Sequence, residues 1–207
     1  MAVSKARENI LKKIRQALSN PVPLPFPSSE GRAPIFSPVG GDLEVIFAEE
    51  FTKIQGQFAF CINETELNQQ VQQLIAGREW SKIYCNEDKW NSQFSNTINL
   101  AGCDVSITGC EYLVARTGSI VMSAAQQSGR TVSVYAPVHI CIAYTSQLVY
   151  DITDALQLLK DKYADNLPSL ITFASGPSRT ADIEKTLVTG VHGPKEVFLF
   201  LVDRGAE

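Results

Sequence analysis

The chain has 207 residues, of which 44% are hydrophobic and 19% are charged, and its formal net charge is −4. These values are ordinary for a globular protein, and a chain of this length buries roughly 70% of its unfolded surface, so it needs no disulfides to fold. The negative charge argues against non-specific nucleic-acid binding, which requires a basic surface, and no apolar run approaches the roughly 20 residues that span a bilayer.

Cysteine usage and the N-terminal sequence together predict a cytoplasmic protein. Residues 1–18 lack a continuous apolar core followed by a small-residue cleavage site, so they do not form a secretory signal. The five cysteines are scattered without a CxxC pair, and the chain contains only two histidines. We therefore predict reduced thiols, no metal site, no iron–sulfur cluster and no bound cofactor.

The N-terminal segment predicts a helical arm. Apolar residues recur at helical spacing over residues 3–18, and the rest of that helix is basic. Two interpretations stand, a solvated helix face or a docking arm for a protein partner. The prolines and glycines of residues 19–41 block regular structure and predict an extended linker. The sequence thus divides into an arm over residues 1–41 and an α/β domain over residues 42–207.

Helices and strands alternate in the first half of this domain. Asn63 has the side chain of a helix N-cap and precedes a predicted helix. The predicted order is helix 42–56, strand 57–62, helix 64–77, strand 81–85 and a short helix over 87–96. Strands separated by helices imply parallel pairing and an α/β class.

The second half is richer in predicted strands. β-Branched residues concentrate in short runs that are broken by glycine and proline. The predicted strands are 105–112, 118–124, 131–136, 138–144, 169–175 and 196–203, with helices at 151–163 and near 181–188. We expect an open, mostly parallel or mixed sheet that is flanked by helices.

The segment from Ile171 to Leu187 has the pattern of a strand, a Gly-Pro turn and a helix. The first N–H groups of a helix lack internal partners, so a turn containing Gly176, Ser178 and Thr180 can hold a phosphate or carboxylate. Simple capping is the alternative, with Thr180 as N-cap and the acidic Asp182 complementing the helix dipole. Both interpretations stay open.

Two further turns carry candidate functional residues. His192 lies between Gly190 and the Gly193-Pro194 pair, and it is either an exposed turn residue or a general acid–base. Thr117, Gly118 and Ser119 precede a strand, where they form a tight turn or line a ligand pocket. The chain has no nucleophile elbow, P-loop or dinucleotide fingerprint.

The C-terminal run GPSRTADIEKTLVTGVHGPKEVFLFLVD resembles the signature of the lactate utilization protein C family, also called the LUD domain. SRTADIE followed by GVHGP at this spacing is specific, and SITGCEYLVARTGSIVM and YAPVHICI resemble the family's middle motifs. The resemblance implies a fold similar to ribose-5-phosphate isomerases, CoA transferases and 5-formyltetrahydrofolate cyclo-ligases. It also implies a subunit that acts with two iron–sulfur partner proteins in the oxidation of L-lactate to pyruvate.

The chain departs from the family's pattern at Arg116, where an acidic residue usually precedes the Thr-Gly pair. Arg116 argues against transfer through an acyl-glutamate, and it is either a solvated arginine or a bidentate partner for a carboxylate. An alternative function is a self-sufficient isomerase-, transferase- or cyclo-ligase-like enzyme that acts on a phosphorylated or carboxylated metabolite. Fold analogy is a weak basis for chemistry, and the sequence leaves both activity of the isolated chain and homo-oligomerisation open.

These residues combine into one site hypothesis. We expect the turns at Thr117–Ser119, Gly176–Asp182 and His192–Gly193 to converge at one end of the sheet, where ligands of open α/β sheets bind. Arg116 or the N–H groups near Ser178 would hold the carboxylate or phosphate of a small ligand, and His192 would transfer a proton. The hypothesis requires a mixed sheet, because the first and last of these turns precede strands.

Overall fold

The computed structural model describes residues 5–19, 40–97, 99–180 and 188–203. Most of the predicted linker and all but the last residue of the helix predicted near 181–188, including Asp182, lie outside these residues. Two compact units are present, residues 1–39 and residues 40–207. The first unit contains the predicted amphipathic helix, which spans Lys5–Leu18.

The second unit alternates helices and strands. In chain order, after α1 (Lys5–Leu18), the helices are α2 (Leu43–Lys53), α3 (Glu64–Gly77), α4 (Asn91–Phe94), α5 (Val132–Tyr135) and α6 (Ile152–Tyr163). The strands are β1 (Gln57–Cys61), β2 (Ile83–Cys85), β3 (Val105–Thr108), β4 (Tyr112–Val114), β5 (Ser119–Ser123), β6 (Val138–Tyr144), β7 (Leu148–Val149), β8 (Ile171–Ala174), β9 (Arg179–Thr180), β10 (Val188–Thr189) and β11 (Glu196–Val202). Short 3₁₀ turns span Ala115–Thr117 and Thr145–Gln147.

A five-stranded parallel sheet forms the centre of the domain, in the order β1-β11-β6-β3-β2. Its central strands β6 and β11 are apolar along nearly their whole length because both faces of a parallel sheet are covered. On one face, Ile107, Ile140 and Phe200 pack with Leu67 and Val71 of α3. Full burial of an aliphatic or aromatic side chain contributes roughly 1.5–3 kcal/mol, so this contact is a main source of stability.

The opposite face of the parallel sheet is covered by α2 and by a second sheet, in the order β7-β4-β5-β8. Phe47 and Phe51 of α2 join Leu113 and Ile120 of the second sheet around Leu199. β5 runs antiparallel to both β4 and β8, whereas β4 and β7 are parallel. The expected α/β class, with a parallel sheet flanked by helices, is therefore confirmed.

Two predicted strands are wrong in detail. Residues 131–136 contain the helix α5, in which the adjacent Val132 and Ser133 are both buried and Tyr135 is exposed, a pattern without the alternation of a strand. The predicted strand 105–112 is divided into β3, which ends at Thr108, and β4, which begins at Tyr112. Gly109 lies between them against the Trp90 ring, which a β-carbon there would approach to 3.2 Å. Asn63 caps α3 as predicted, and its side chain accepts the Glu66 N–H at 2.9 Å.

No helix among the residues that the structure describes combines the length and the apolar character needed to cross a bilayer.

Candidate functional site

The predicted turns at Thr117–Ser119 and Gly176 are neighbours in the structure. β5 and β8 pair antiparallel, so the start of one strand lies beside the end of the other. The Ser119 hydroxyl is 2.7 Å from the Thr117 hydroxyl and 2.7 Å from that of Ser175. The buried Ser119 hydroxyl thus lies between the half-buried Thr117 hydroxyl and the exposed Ser175 hydroxyl.

The turn that carries His192 adjoins the same place. The Ser178 N–H donates to the Pro194 carbonyl at 2.9 Å, and the Gly190 N–H donates to the Ser178 carbonyl at 3.0 Å. Gly193 lies against the Ser178 side chain, and His192 itself is exposed. The three predicted turns therefore form one group, which we call the turn cluster (residues 115–119, 175–178 and 190–194).

Two groups that the site hypothesis assigned to a ligand anion already have partners within the protein. Arg116 binds Asp151 through two nitrogens of its guanidinium, with Nε 2.6 Å and Nη2 3.3 Å from the carboxylate oxygens. The hydrogen bonds from Arg116 hold the pKa of Asp151 below its ordinary value. The Ser178 N–H is bound to the Pro194 carbonyl, so both groups already make hydrogen bonds within the protein.

The two glycines at the start of these turns have a packing role. A β-carbon on Gly118 would stand 2.5 Å from the Phe51 amide nitrogen, and one on Gly176 would collide with the Ile54 carbonyl. Both residues have positive φ, 57° and 74°, which glycine adopts without strain. Both turns can therefore pack closely against the C-terminal end of α2. Thr180 pairs with Val188 between β9 and β10, and Asp182 lies outside the described residues.

The turn cluster lies at the amino ends of the parallel strands. The N–H groups of Lys195 and Glu196, where β11 begins, both donate to the Pro137 carbonyl, which precedes β6. Gly176 abuts Ile54, which precedes β1. Ligands of open parallel sheets bind at the carboxyl ends, so the cluster is at the edge opposite to the one that this rule favours.

The carboxyl ends of β2 and β3 form a second candidate site. The loop after β2 leads to α4 on one face of the sheet, and the loop after β3 leads to β4 on the other face. Two neighbouring strands whose connections diverge in this way open a crevice, the usual ligand position in such sheets. The half-buried Glu87 lies at this switch point, which we call the Glu87 crevice, and its carboxylate accepts the Gly109 N–H at 3.2 Å.

A turn over residues 124–130 covers this Glu87 crevice. The Ser128 hydroxyl donates to the Glu87 carboxylate. The Gln127 amide donates to Asp88 at 2.6 Å, and its carbonyl oxygen accepts the Asp88 N–H at 2.9 Å. Asn86 donates to the Gln127 backbone carbonyl at 3.0 Å. A ligand hydroxyl that took the place of Ser128 would meet a carboxylate able to accept its hydrogen bond or its proton.

A buried polar contact links β6 to Thr108, the last residue of β3. His139 lies on β6 with 1% exposure, and its Nε2 is 2.8 Å from the Thr108 hydroxyl. Burial lowers the pKa of His139 to about 4, so the ring is neutral at neutral pH. The neighbouring Ser106 hydroxyl is buried without a hydrogen-bond partner.

The buried carboxylate of Glu111 links β5 to α6. Its carboxylate accepts hydrogen bonds from Ser123 at 2.5 Å and Tyr163 at 2.7 Å, and Lys162 lies 2.7 Å away. Burial alone would raise the pKa of Glu111, but these three donors lower it, so the residue is a carboxylate at neutral pH. With its donors supplied from inside the protein, Glu111 has the environment of a structural ion pair.

Another polar group lies along the same edge, at the end of β6. Lys89 and the Tyr144 hydroxyl are each 2.9 Å from the same Glu64 oxygen, and Lys89 also contacts Tyr144. Burial would lower the pKa of Lys89, but hydrogen bonds with Tyr144 and Glu64 raise it, so Lys89 carries a positive charge. This ammonium group is a positive charge at the carboxyl edge, and it is paired with the Glu64 carboxylate.

Sequence reasoning missed Glu87, Lys89 and Glu111, although a signal existed. Glu87 and Lys89 follow the predicted strand 81–85 within a few residues, where functional loops of parallel sheets gather. Glu111 was instead placed inside the predicted strand 105–112. Placing Gly109 inside a predicted strand concealed the loop that brings it to Glu87. Within the described ranges, no three His, Cys, Asp or Glu side chains come together in a way that could hold a metal ion.

The sequence of this chain is similar to those of known proteins. The sequence model of the LUD domain matches residues 45–202. Lactate utilization protein C of Bacillus licheniformis is 38% identical over 104 residues, which are 49% of this chain and 43% of that protein. Lactate utilization protein C of Anoxybacillus flavithermus is 28% identical over 180 residues, covering 77% of this chain and 80% of that protein.

The first three curated relatives are matched over 47%, 43% and 57% of their own lengths, so this chain spans about half of each. A crystal structure of a DUF162 family protein from Deinococcus radiodurans superimposes with a TM-score of 0.60 at 16% identity, over 80% of this chain and 99% of that one. This similarity supports the fold.

Proposed function

The chain belongs to the LUD domain family, and we propose on that basis that it acts in lactate utilisation. In this proposal it is a cytoplasmic subunit that works with iron–sulfur partner proteins in the oxidation of L-lactate to pyruvate. The observation that carries the proposal is the LUD match over residues 45–202, together with relatives named lactate utilization protein C. The chain would contribute ligand binding and proton transfer, and its partners would carry the electrons.

A gene deletion tests this role. Cells that lack the chain should fail to grow on L-lactate as sole carbon source and should grow normally on pyruvate, because only the conversion of lactate to pyruvate is lost. A plasmid-borne copy should restore growth on L-lactate. Normal growth of the deletion strain on L-lactate, with no second copy of the gene, would overturn the proposal, as would equal loss of growth on pyruvate.

The alternative of a self-sufficient enzyme is favoured by one observation, the carboxylate in the Glu87 crevice. Purification distinguishes the two functions. A tagged chain from lactate-grown cells should bring down iron-containing partners, and L-lactate should reduce an artificial electron acceptor only in their presence. Turnover of a small metabolite by the purified chain alone would favour the alternative.

Two variants separate the candidate sites. In the first candidate the turn cluster binds a small carboxylate, with His192 as proton-transfer group and Gly193 beside the ligand. In the second candidate Glu87 accepts the ligand hydroxyl. Loss of growth on L-lactate in His192→Ala would assign the ligand to the turn cluster, and loss in Glu87→Gln would assign it to the crevice.

Ser128→Ala is the matched control for Glu87→Gln. It removes one donor to Glu87 but leaves the carboxylate in place. The control should therefore keep growth if the negative charge itself is required. Thermal melting of each purified variant shows whether it is folded. Normal growth in both folded variants would remove both residues from any ligand-binding role.

A further inference from the structure

The outer edge of β1 has the features of a docking site for an extended peptide. β1 pairs with β11 on one side, and no strand within residues 5–19, 40–97, 99–180 and 188–203 pairs with its other side. Exposed edge strands are usually protected by lysine, proline or a very short length. β1 has five residues, with the sequence QFAFC, and contains none of these protective features. The other edge strand of the sheet, β2, has only three residues.

Clefts flank this edge on both faces of the sheet. On the α3 face a cleft of about 720 Å³ lies between β1, β11 and α3. On the α2 face a cleft of about 530 Å³ lies between β1, α2 and the residue after β11. Side chains of a strand alternate between the two faces of its sheet, so a strand added to β1 would direct successive side chains into the two clefts.

The two clefts differ in chemistry. The α3 cleft is rich in amides, with Gln57, Gln69, Gln70 and Gln73 in its wall and Glu66 as its only charged residue. The α2 cleft has an apolar floor and an acidic rim without a basic residue. The floor contains Val45, Ala48, Phe58 and Phe60, and the rim contains Asp42, Glu44, Glu49 and Asp203. Phe60 is 43% exposed and Val45 is 54% exposed, so this floor is open to a partner.

We propose that β1 binds an extended segment of a partner protein by β-strand addition. The partner segment alternates small polar residues, which face the amide cleft, with apolar and basic residues, which face the acidic cleft. Backbone hydrogen bonds to β1 provide the affinity, and the charges on the acidic rim select the partner. The Gln70 amide, 3.5 Å from the Phe60 carbonyl, makes only a long contact that an incoming strand can replace.

A second copy of this chain fits the edge less well. Two copies joined by a twofold axis would pair β1 antiparallel to β1, with equivalent faces on the same side. The acidic rim of one copy would then lie beside the acidic rim of the other. Like charges opposed in this way disfavour the pairing, whereas a basic partner is attracted.

Three synthetic ten-residue peptides test the proposal on the full chain. The first repeats Lys-Thr-Val-Ser, the second has glutamate in place of each lysine, and the third keeps lysine but carries N-methyl groups on alternate backbone nitrogens. Only the first should bind saturably, and it should slow hydrogen exchange of the β1 amides. Binding should weaken about fivefold in Glu49→Lys and stay unchanged in Asp165→Lys, an exposed carboxylate after α6.

Other outcomes would overturn the proposal. These are no saturable binding of the lysine peptide, equal binding of the glutamate or N-methyl peptide, or protection confined to other strands. Sedimentation tests the second-copy alternative, since a dimer that Phe60→Asp converts to monomer would make another copy of the chain the occupant. The experiments use no lactate, so their failure would leave the proposed function untouched.

Discussion

Gly118 lies directly against the backbone of Phe51, so the turn before β5 is packed onto α2 without room for a side chain. A β-carbon on Gly118 would be 2.5 Å from the Phe51 nitrogen and 2.8 Å from its α-carbon. Gly118 also has a φ of 57°, in the left-handed region. The glycine of the Thr-Gly pair therefore has a structural role that requires no ligand.

We predict that Gly118→Ala strongly destabilises the protein. The left-handed conformation costs an alanine about 1–2 kcal/mol, and the collision with rigid backbone adds about 1–3 kcal/mol. The free energy of unfolding in urea should therefore fall by about 3 kcal/mol. Gly129→Ala is the matched control because Gly129 has a φ of 63° and open space around its α-carbon. The control should lose only about 1–2 kcal/mol; equal losses in the two variants would disprove the packing argument.

His139 should make stability depend on pH between about 4 and 6.5. Its pKa is about 4 in the folded protein and 6.5 ordinarily, because burial disfavours the charged ring. The unfolded chain therefore binds a proton in this window that the folded protein does not, and stability falls as pH decreases from 6.5 to 4. The loss should approach about 3 kcal/mol. Urea titrations at half-unit pH intervals measure it.

The second histidine provides the control for this prediction. His139→Gln should abolish the loss between pH 6.5 and pH 4.5, apart from any contribution of carboxylates that is common to all variants. His192→Ala should keep it, since His192 is exposed. A wild-type pH dependence that survives in His139→Gln would show that other groups are responsible.

Local signals in the sequence were sufficient to predict much of this fold. The residues from Asn63 to Gly77 combine a capping side chain with helical periodicity, and α3 has the predicted bounds. The apolar run at residues 196–203 predicts a strand, and the observed β11 (Glu196–Val202) pairs between β1 and β6. Such elements follow from near neighbours in the chain.

Other features depend on contacts between distant residues, which no local pattern contains. The two valines within residues 132–135 favour a strand, but the segment forms α5, in which the adjacent Val132 and Ser133 are both buried. Arg116 finds its partner Asp151 35 residues away. Glu87 and Gly109 come from separate loops, and only the strand order brings them together.

The Arg116–Asp151 pair should contribute modestly to stability. Both side chains are partly buried, with 25% and 21% exposure, and the contact is bidentate. The coupling energy from a double-mutant cycle with Arg116→Met and Asp151→Asn should be about 1 kcal/mol. A coupling near zero would leave Arg116 available to a ligand carboxylate, which would favour the original site hypothesis.

Replacement of Asp151 should lower the free energy of unfolding more than replacement of Arg116. Its carboxylate also accepts the Thr153 N–H at 3.3 Å, as the N-cap of α6. Asp151→Ala should therefore cost about 1 kcal/mol more than Arg116→Met, because a helix cap is lost with the ion pair. Asp151→Ser restores a capping oxygen without the charge and should recover that difference. Failure of serine to recover any stability would contradict the capping role.

The five cysteines should be unreactive in the native protein. All five are buried and none forms a disulfide. Burial raises the pKa of the Cys61 and Cys85 thiols to about 11 and that of Cys141 well above its ordinary value, so few thiolates exist at pH 8.

Ellman's reagent should modify less than one thiol per native chain in the time that it modifies all five in guanidinium. Val134→Cys, at a position that is 43% exposed, provides a reactive control and should add one rapid thiol. Rapid modification of a native cysteine would show that its segment opens readily to solvent.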